Sequence, residues 1–203
     1  MMWTFNRCLM VVAHPDDETL WAGGTMLMHS DSNWTVVTLC KSGDADREAR
    51  FFKAMELYGA HGLIGELDDS PDQPVLSARD VRRTLLDLLP PARFDLLITH
   101  GFQGEYSAHL RHDETGKIAL SLWESGDIVA GELWRFAYED GDGKYLPRAI
   151  ADADFMTTLP HDIWEQKHDI MTQAYGFAED SPEVKAAPRQ EAFWCFRARA
   201  RRS

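Results

Sequence analysis

The amino-acid sequence predicts an α/β fold, a three-layer, Rossmann-like arrangement with a mostly parallel sheet. Apolar runs alternate with segments of helical periodicity along the chain. Strands that alternate with helices imply right-handed crossovers and a sheet covered on both faces. The chain has 203 residues, of which 44% are hydrophobic. One packed core accounts for that composition, so we expect a single domain over residues 1–203.

Each element follows from a local pattern. Short segments rich in apolar and β-branched residues predict strands at 8–13, 34–40, 62–67, 94–100, 130–138 and 153–158. Apolar residues that recur at intervals of three and four predict helices at 18–30, 44–59, 77–90, about 111–123 and 161–175. Gly59 supplies a stop signal and Ser77 an N-cap. The segment 139–148 consists of turn-forming residues.

Charge and cysteine usage restrict the partners and the compartment. The formal net charge is −12 and the pI about 5.0, which argues against nucleic acid as a partner, because phosphate binding needs clustered Lys and Arg. No apolar stretch is long enough to span a bilayer. The three cysteines form no CxxC pair, as expected of reduced thiols in the cytoplasm. The basic C-terminal run is interpreted as a solvated terminus: Arg197, Arg199, Arg201 and Arg202.

The stretch "VVAHPDDETLWAGG" (11–24) ends a predicted buried strand in a histidine and three carboxylates. Charges at such a place have to be hydrated, paired or bound to metal. His14 and Asp17 are three residues apart and would share a face on a first helical turn. His109 and His112 have the same spacing. Together the two pairs offer imidazole and carboxylate ligands from two elements.

The predicted topology brings the two pairs together. Ligands of open parallel sheets bind beyond the carboxyl ends of the strands, where the strand order reverses. In an order of the 3-2-1-4-5 kind, the strands at 8–13 and 94–100 are neighbours, and both polar clusters face one crevice. Two histidines and a carboxylate around an open position are typical of catalytic zinc. The alternative is that the acids only cap a helix and complement its dipole.

Two other enzyme classes lack their motifs. The segments "WAGGTM" and "GDADRE" are neither GxGxxG nor a Walker loop, and the acids at the strand end would repel phosphate. A serine hydrolase of the α/β type needs GxSxG at a strand–helix elbow, which is missing.

Three segments resemble the LmbE-like, or PIG-L, family of metal-dependent N-deacetylases: "AHPDDETLWAGGTM" (13–26), "VVTLCKSGDADREARFFKAMELYG" (36–59) and "THGFQGEYSAHLRHDETGKIAL" (99–120). The resemblance implies one Zn²⁺ per chain, with His14, Asp17 and His112 as ligands. It implies Asp16 as the general base. It implies His109 as the residue that steadies the tetrahedral intermediate or protonates the leaving amine.

Further expectations follow from the same resemblance. Arg47, Asp68 and Tyr106 lie near the positions that contact substrate in that family. The implied reaction removes an acetyl or similar acyl group from the amine of an amino sugar or glycoconjugate, such as an N-acetylglucosamine derivative. A neighbouring subunit often completes the pocket in that family, which leaves room for a homo-oligomer.

The sequence also departs from the family's pattern. Two residues rather than one separate Tyr106 from the HxxH motif, and the motif's interior, 110–111, is Leu-Arg rather than Pro-Asp. The absent Asp removes a hydrogen-bond partner for a histidine, which Asp113 or Glu114 could replace. Glu105 is expected to be a solvated loop residue.

Two alternatives remain open at this stage. The same scaffold and metal set would serve a hydratase of an unsaturated carboxylic acid, for which Arg111 and Arg47 are candidate carboxylate clamps. A non-catalytic binding module is the second alternative, although binding alone does not require all five residues of the two motifs.

Overall fold

The computed structural model describes residues 4–41, 43–70, 74–102, 105–106 and 109–198. Three arginines of the basic tail and part of the loop before the HxxH motif lie outside these residues. The strands are β1 (Arg7–Val12), β2 (Asn33–Cys40), β3 (His61–Leu67), β4 (Arg93–Thr99), β5 (Val129–Phe136), β6 (Tyr138–Glu139), β7 (Arg148–Ala149), β8 (Phe155–Thr158) and β9 (Gln190–Arg197). The α-helices are α1 (Asp17–Met28), α2 (Ala45–Tyr58), α3 (Ala78–Leu88), α4 (Leu110–Ser125), α5 (His161–Asp169) and α6 (Pro182–Ala186).

The main sheet has the order β3-β2-β1-β4-β5-β9-β8. The first five of these strands are mutually parallel, and β9 runs antiparallel to both β5 and β8. Strands β6 and β7 form a small separate hairpin. The predicted α/β fold with a mostly parallel sheet is confirmed, and so is the central order 3-2-1-4-5.

Strand β1 is buried on both faces because helices cover the sheet from both sides. Alternate side chains point in opposite directions along a strand. Cys8 and Met10 therefore join a core with residues of α1, α2 and the segment after α5, whereas Leu9 and Val11 join a second core with residues of α3 and α4. Each core lies between the sheet and one layer of helices, as the predicted three-layer arrangement requires.

The pairing of β1 with β4 brings the two polar motifs together. Val11 lies opposite Thr99, and the Thr99 hydroxyl donates to the Val11 carbonyl over 2.8 Å. Both strands end at this level, so the loops that carry the histidines leave the sheet side by side. This is the point where the strand order reverses, as predicted.

The C-terminal half differs most from the prediction. The predicted strand at 130–138 is interrupted at Ala137, between β5 and β6. The predicted helix 161–175 is α-helical only as far as Asp169 and continues as a π-helical turn, Ile170–Ala174. Helix α6 and strand β9 were not predicted. None of the helices in the described part of the chain is long and apolar enough to cross a membrane.

A buried ion pair attaches β9 to α1 and α5. Lys167 Nζ lies 2.8 Å from Glu191 Oε1, and both side chains are fully buried. Glu191 also accepts the backbone N–H groups of Gly24 and Thr25 over 2.8 and 2.6 Å, and the Thr25 hydroxyl over 2.7 Å. The carboxylate thus has a partner at each oxygen, which buried charges require.

We expect Lys167→Met to lower the free energy of unfolding by about 3–5 kcal/mol, because it leaves the Glu191 charge buried without its counter-ion. Urea unfolding measures the effect. The exposed pair Arg82–Asp127, with 2.6 Å between its charged atoms, provides the control. Arg82→Met should cost less than about 1 kcal/mol. Equal costs for the two substitutions would contradict the importance of burial here.

Candidate metal centre

Helix α1 is preceded by an aspartate in a strained backbone conformation. Asp16 has φ 120° and ψ −29°, a region that non-glycine residues rarely adopt. Its N–H donates to Glu18 Oε2 over 3.1 Å. Glu18 is fully buried and accepts the hydroxyl groups of Thr19 and Tyr175. Such strain persists only where the surroundings enforce it, and it is typical of functional sites.

Asp17 lies between the histidines of both motifs. Its Oδ2 is 3.3 Å from His14 Nδ1, and its Oδ1 is 3.3 Å from His112 Nε2. His100 Nε2 is 3.5 Å from Oδ2. Although burial opposes ionisation, the positive charge of His112, together with the hydrogen bond from His14, holds the pKa of Asp17 well below its usual range. The three residues implied as ligands thus adjoin one another around an ionised carboxylate.

The donor atoms in this region suit a divalent cation. One ligand atom each from His14, His109 and His112 lies within 4.8 Å of the others, and the same holds for Asp17, His100 and His112. Among the described residues, three buried imidazole nitrogens lack a well-formed hydrogen bond: His14 Nε2, His109 Nδ1 and His112 Nε2. The first and third instead have a carboxylate oxygen at 3.1 and 3.3 Å. Buried polar atoms normally have partners, so imidazole nitrogens left in this way fit a metal site.

Glu105 fixes the orientation of two of these histidines. Its Oε2 lies 2.8 Å from His112 Nδ1 and 3.0 Å from His100 Nδ1, and its Oε1 accepts the Gly101 N–H. His100 Nε2 accepts the Ala13 N–H over 2.9 Å, so its proton lies on Nδ1. When His112 is neutral, a carboxylate at its Nδ1 keeps the proton there and leaves the lone pair of Nε2 for a metal ion.

The expectation that Glu105 is a solvated loop residue is wrong. The side chain is fully buried, and its carboxylate contacts His100, His112 and the Gly101 N–H. Glu105 thereby supplies the carboxylate partner that the departure from the family's HxxH interior had seemed to remove. Neither expected substitute has that role: Asp113 pairs with Lys117, and Glu114 pairs with Arg111.

We expect Glu105→Gln to weaken metal affinity by about 10- to 100-fold, the usual effect of losing a carboxylate behind a histidine ligand. A chelator competition titration measures it. Asp113→Asn, which removes a half-buried carboxylate next to the same histidine in the sequence, should leave affinity unchanged. If both variants bind metal like the parent, Glu105 does not orient a ligand.

The three predicted substrate contacts lie in different surroundings. Arg47 Nη1 is 2.9 Å from Asp16 Oδ2. The Tyr106 ring stacks on Trp21 at 5.5 Å between centroids and meets the His112 ring edge-on at 5.6 Å. Asp68 is exposed, and its Oδ1 accepts the Ser70 N–H. Arg47 and Tyr106 therefore adjoin the cluster, whereas the Asp68 side chain points into solvent.

The neighbouring residue, Asp69, is the acid of this pair that reaches the cluster. Its Oδ1 is 3.1 Å from His14 Nε2, and its Oδ2 is 2.8 Å from Lys41 Nζ. Asp69 also forms a potential ligand group with His14 and Cys40. Sequence reasoning missed Asp69, Lys41 and His100. The only signal for Asp69 was that it adjoins Asp68.

Two groups beside the cluster have shifted pKa values. Burial, and then the charge of Asp17, raise the pKa of Asp16 to about 8. Burial, followed by the positive charges of His112 and His14, lowers the pKa of His109 to about 4. Both shifts arise from burial and from the charges of the cluster that the two groups adjoin.

Comparison with known proteins places the chain in a family. The model of the family PIG-L, described as GlcNAc-PI de-N-acetylase, matches residues 9–123. The chain belongs to the PIG-L family. The matched region runs from β1 through most of α4 and contains both histidine motifs, Arg47 and Glu105. The segment that forms α5, α6 and β9 lies beyond it.

Three solved structures share this PIG-L fold. The 4-carboxy-2-hydroxymuconate hydratase GalB from Pseudomonas putida KT2440 has a TM-score of 0.70 at 14% identity, over 98% of this chain and 99% of that chain. N,N'-diacetylchitobiose deacetylase from Pyrococcus horikoshii has 0.66 at 16%, over 95% and 84%. The zinc-inhibited form of teicoplanin deacetylase Orf2 has 0.60 at 14%, over 95% and 98%. At these identities the likeness concerns the fold alone.

Proposed function

We propose that this chain is a zinc-dependent hydrolase that removes an acetyl or similar acyl group from the amine of an amino sugar or glycoconjugate. One Zn²⁺ per chain would be held by His14, Asp17 and His112. The observation that carries the proposal is the contact of Asp17 with both histidines, beside a strained Asp16 that points elsewhere. The family description and the deacetylases among the structural neighbours support the same reaction class.

The metal would polarise the amide carbonyl and make water more acidic. The protein's own part begins with Asp16, which takes the proton of the attacking water. Arg47 holds the Asp16 carboxylate, and Glu18 holds its backbone N–H. Together they keep the base aimed away from Asp17. A neutral His109 would donate a hydrogen bond to the oxygen on which negative charge develops.

Asp16 and His109 are the candidates for returning a proton to the leaving amine. Asp16 would hold the proton that it takes from water, and its pairing with Arg47 keeps the carboxyl group in position to give that proton back. Attack of water on the carbonyl carbon and cleavage of the C–N bond then yield the carboxylate and the amine.

The test is a screen of metal-loaded protein on N-acetylglucosamine and its conjugates, read out as released amine and acetate, together with elemental analysis. We expect about one zinc per chain and amine release that stops on chelation. Full activity in the chelated, metal-free protein would overturn the proposal.

The hydratase alternative has one supporting observation, the likeness to GalB. Its expected carboxylate clamps are already engaged, however. Arg111 is buried and bonded to the Asp68 carbonyl, the Pro74 carbonyl and the Glu114 carboxylate, and Arg47 is paired with Asp16. Loss of 4-carboxy-2-hydroxymuconate absorbance on incubation with the protein, without amine release in the screen, would favour the hydratase.

A further inference from the structure

A side pocket of about 410 Å³ lies beside the candidate metal centre. Tyr106, one of its wall residues, also contacts His112. A second wall residue, Leu20, comes three positions after Asp17 on α1. The pocket and the candidate catalytic centre therefore lie on either side of the same residues, which places the pocket next to the position proposed for the amide.

The lining of the side pocket is mainly apolar. It includes Leu20 together with four residues from two other segments: Leu146, Pro147, Pro182 and Ala186. Leu146 is 59% exposed. A large exposed apolar side chain at a pocket wall has surface to bury against a ligand, and each buried methylene favours binding roughly fourfold. A volume of this size is typical of a ligand site and far exceeds what an acetyl group fills.

The charged residues of the pocket are mostly acidic. Three carboxylates, Asp140, Asp180 and Glu183, line it beside one ammonium group, that of Lys185. The whole chain carries a net charge of −12. An anionic group in this pocket would meet like charge, whereas neutral hydroxyl groups could donate hydrogen bonds to the carboxylates at its edge.

The pocket is also built largely outside the region that matches the family model. Apart from Leu20 and Tyr106, its wall residues lie between 140 and 186, beyond the matched residues 9–123. The shared family region thus supplies the reaction centre, while the later segments of this chain supply the pocket. Substrate preference is expected to reside in such added segments.

We propose that the side pocket binds an uncharged apolar group, an alkyl or aryl substituent carried by the amide substrate. This rests on the proposed function. The group is either the acyl chain itself or a substituent on the amino sugar, and in both cases a phosphate or carboxylate on it is rejected. The substrate class is therefore a neutral amphiphilic N-acyl amine rather than a free N-acetyl sugar.

Two substrate series test the proposal. One comprises N-acetyl, N-butanoyl, N-hexanoyl and N-octanoyl glucosamine, and the other the methyl, butyl, hexyl and octyl glycosides of N-acetylglucosamine. We expect KM to fall at least tenfold along one series, which identifies the source of the apolar group. A terminal carboxylate on the longest chain should reverse the gain. KM values independent of chain length in both series would overturn the proposal.

Calorimetric binding of compounds that cannot be hydrolysed separates this proposal from the hydrolase itself. The two compounds are octyl glucosaminide, the amine product of the glycoside series, and N-octyl glucosamine, which lacks the amide carbonyl. We expect one of them to bind at least tenfold more tightly than its methyl counterpart. If that holds while no compound releases amine, the pocket stands and the proposed function fails. If amine is released but neither KM nor binding depends on chain length, the proposed function stands and the pocket proposal fails.

Matched variants test whether the dependence of KM on chain length arises in the pocket. Ala186→Trp fills the pocket and should abolish the gain, that is, the fall in KM with increasing chain length. Leu146→Ser should reduce that gain, whereas Leu57→Ser, at a leucine on α2 that is 56% exposed, should not. The proposal is wrong if Leu57→Ser and Leu146→Ser reduce the gain equally, or if Ala186→Trp, folded by circular dichroism, keeps the full gain.

Discussion

Replacing His112 with alanine is expected to release the bound metal and abolish turnover. The ring is fully buried, Glu105 fixes its Nδ1, and its Nε2 faces Asp17 over 3.3 Å. Among the described residues of α4, His112 is the one whose ring nitrogen contacts Glu105. Elemental analysis after gel filtration should give less than about a tenth of the parent's metal content, since the loss of a direct ligand exceeds the 10- to 100-fold cost of losing an outer partner.

The matched comparison is His109→Ala. If His109 acts on the substrate, this variant keeps its metal while kcat falls about 10²-fold or more. Loss of metal from His109→Ala alone would show that the histidines have exchanged roles. Their proximity to each other and to His14 makes that outcome chemically reasonable. Retention of metal by His112→Ala contradicts the proposed ligand set directly.

Replacing Asp16 with asparagine is expected to lower kcat by about 10²- to 10⁴-fold, the usual contribution of a positioned general base. The amide keeps the shape and can still bond to neighbours, but it cannot take the proton of water. Metal content and KM should change little, because the Asp16 side chain pairs with Arg47 rather than with the histidines. Steady-state kinetics and elemental analysis check both points.

Asp17→Asn provides the contrast. Its carboxylate lies between His14 and His112, so the amide should weaken metal affinity, and excess zinc should restore part of the activity. Rescue of the Asp16 variant by zinc, with no rescue of the Asp17 variant, would mean that the two roles are reversed.

The central sheet could be predicted because its strands are continuous apolar runs separated by clear helices. Strand β9 was missed because it is an antiparallel strand between β5 and β8, and its pairing with these two strands rather than its composition defines it. Helix α6 has only five residues, too few for a periodic signal. The π-helical turn after α5 depends on packing that no local pattern encodes.

In the candidate site, too, some residues could be placed from the sequence and others could not. Spacing of three residues correctly predicted that His14 lies beside Asp17, and the strand order correctly predicted that His112 joins them. Glu105 could not be predicted in this way, because its burial depends on how the loop after β4 folds. Asp69 was missed because adjacent residues point in different directions, and sequence alone could not say which of 68 and 69 faces inward.

The attachment of Glu191 to Gly24 and Thr25 bears on how PIG-L chains can be recombined. The carboxylate comes from β9, outside the matched family region, yet it caps backbone groups in the helix that follows the first histidine motif. A chimera that exchanges the C-terminal third between relatives would also exchange most of the residues that line the proposed side pocket. The exchanged segment must also supply an acceptor for the Gly24 and Thr25 N–H groups. Substrate selectivity can therefore be transferred only together with the residue that fills the position of Glu191.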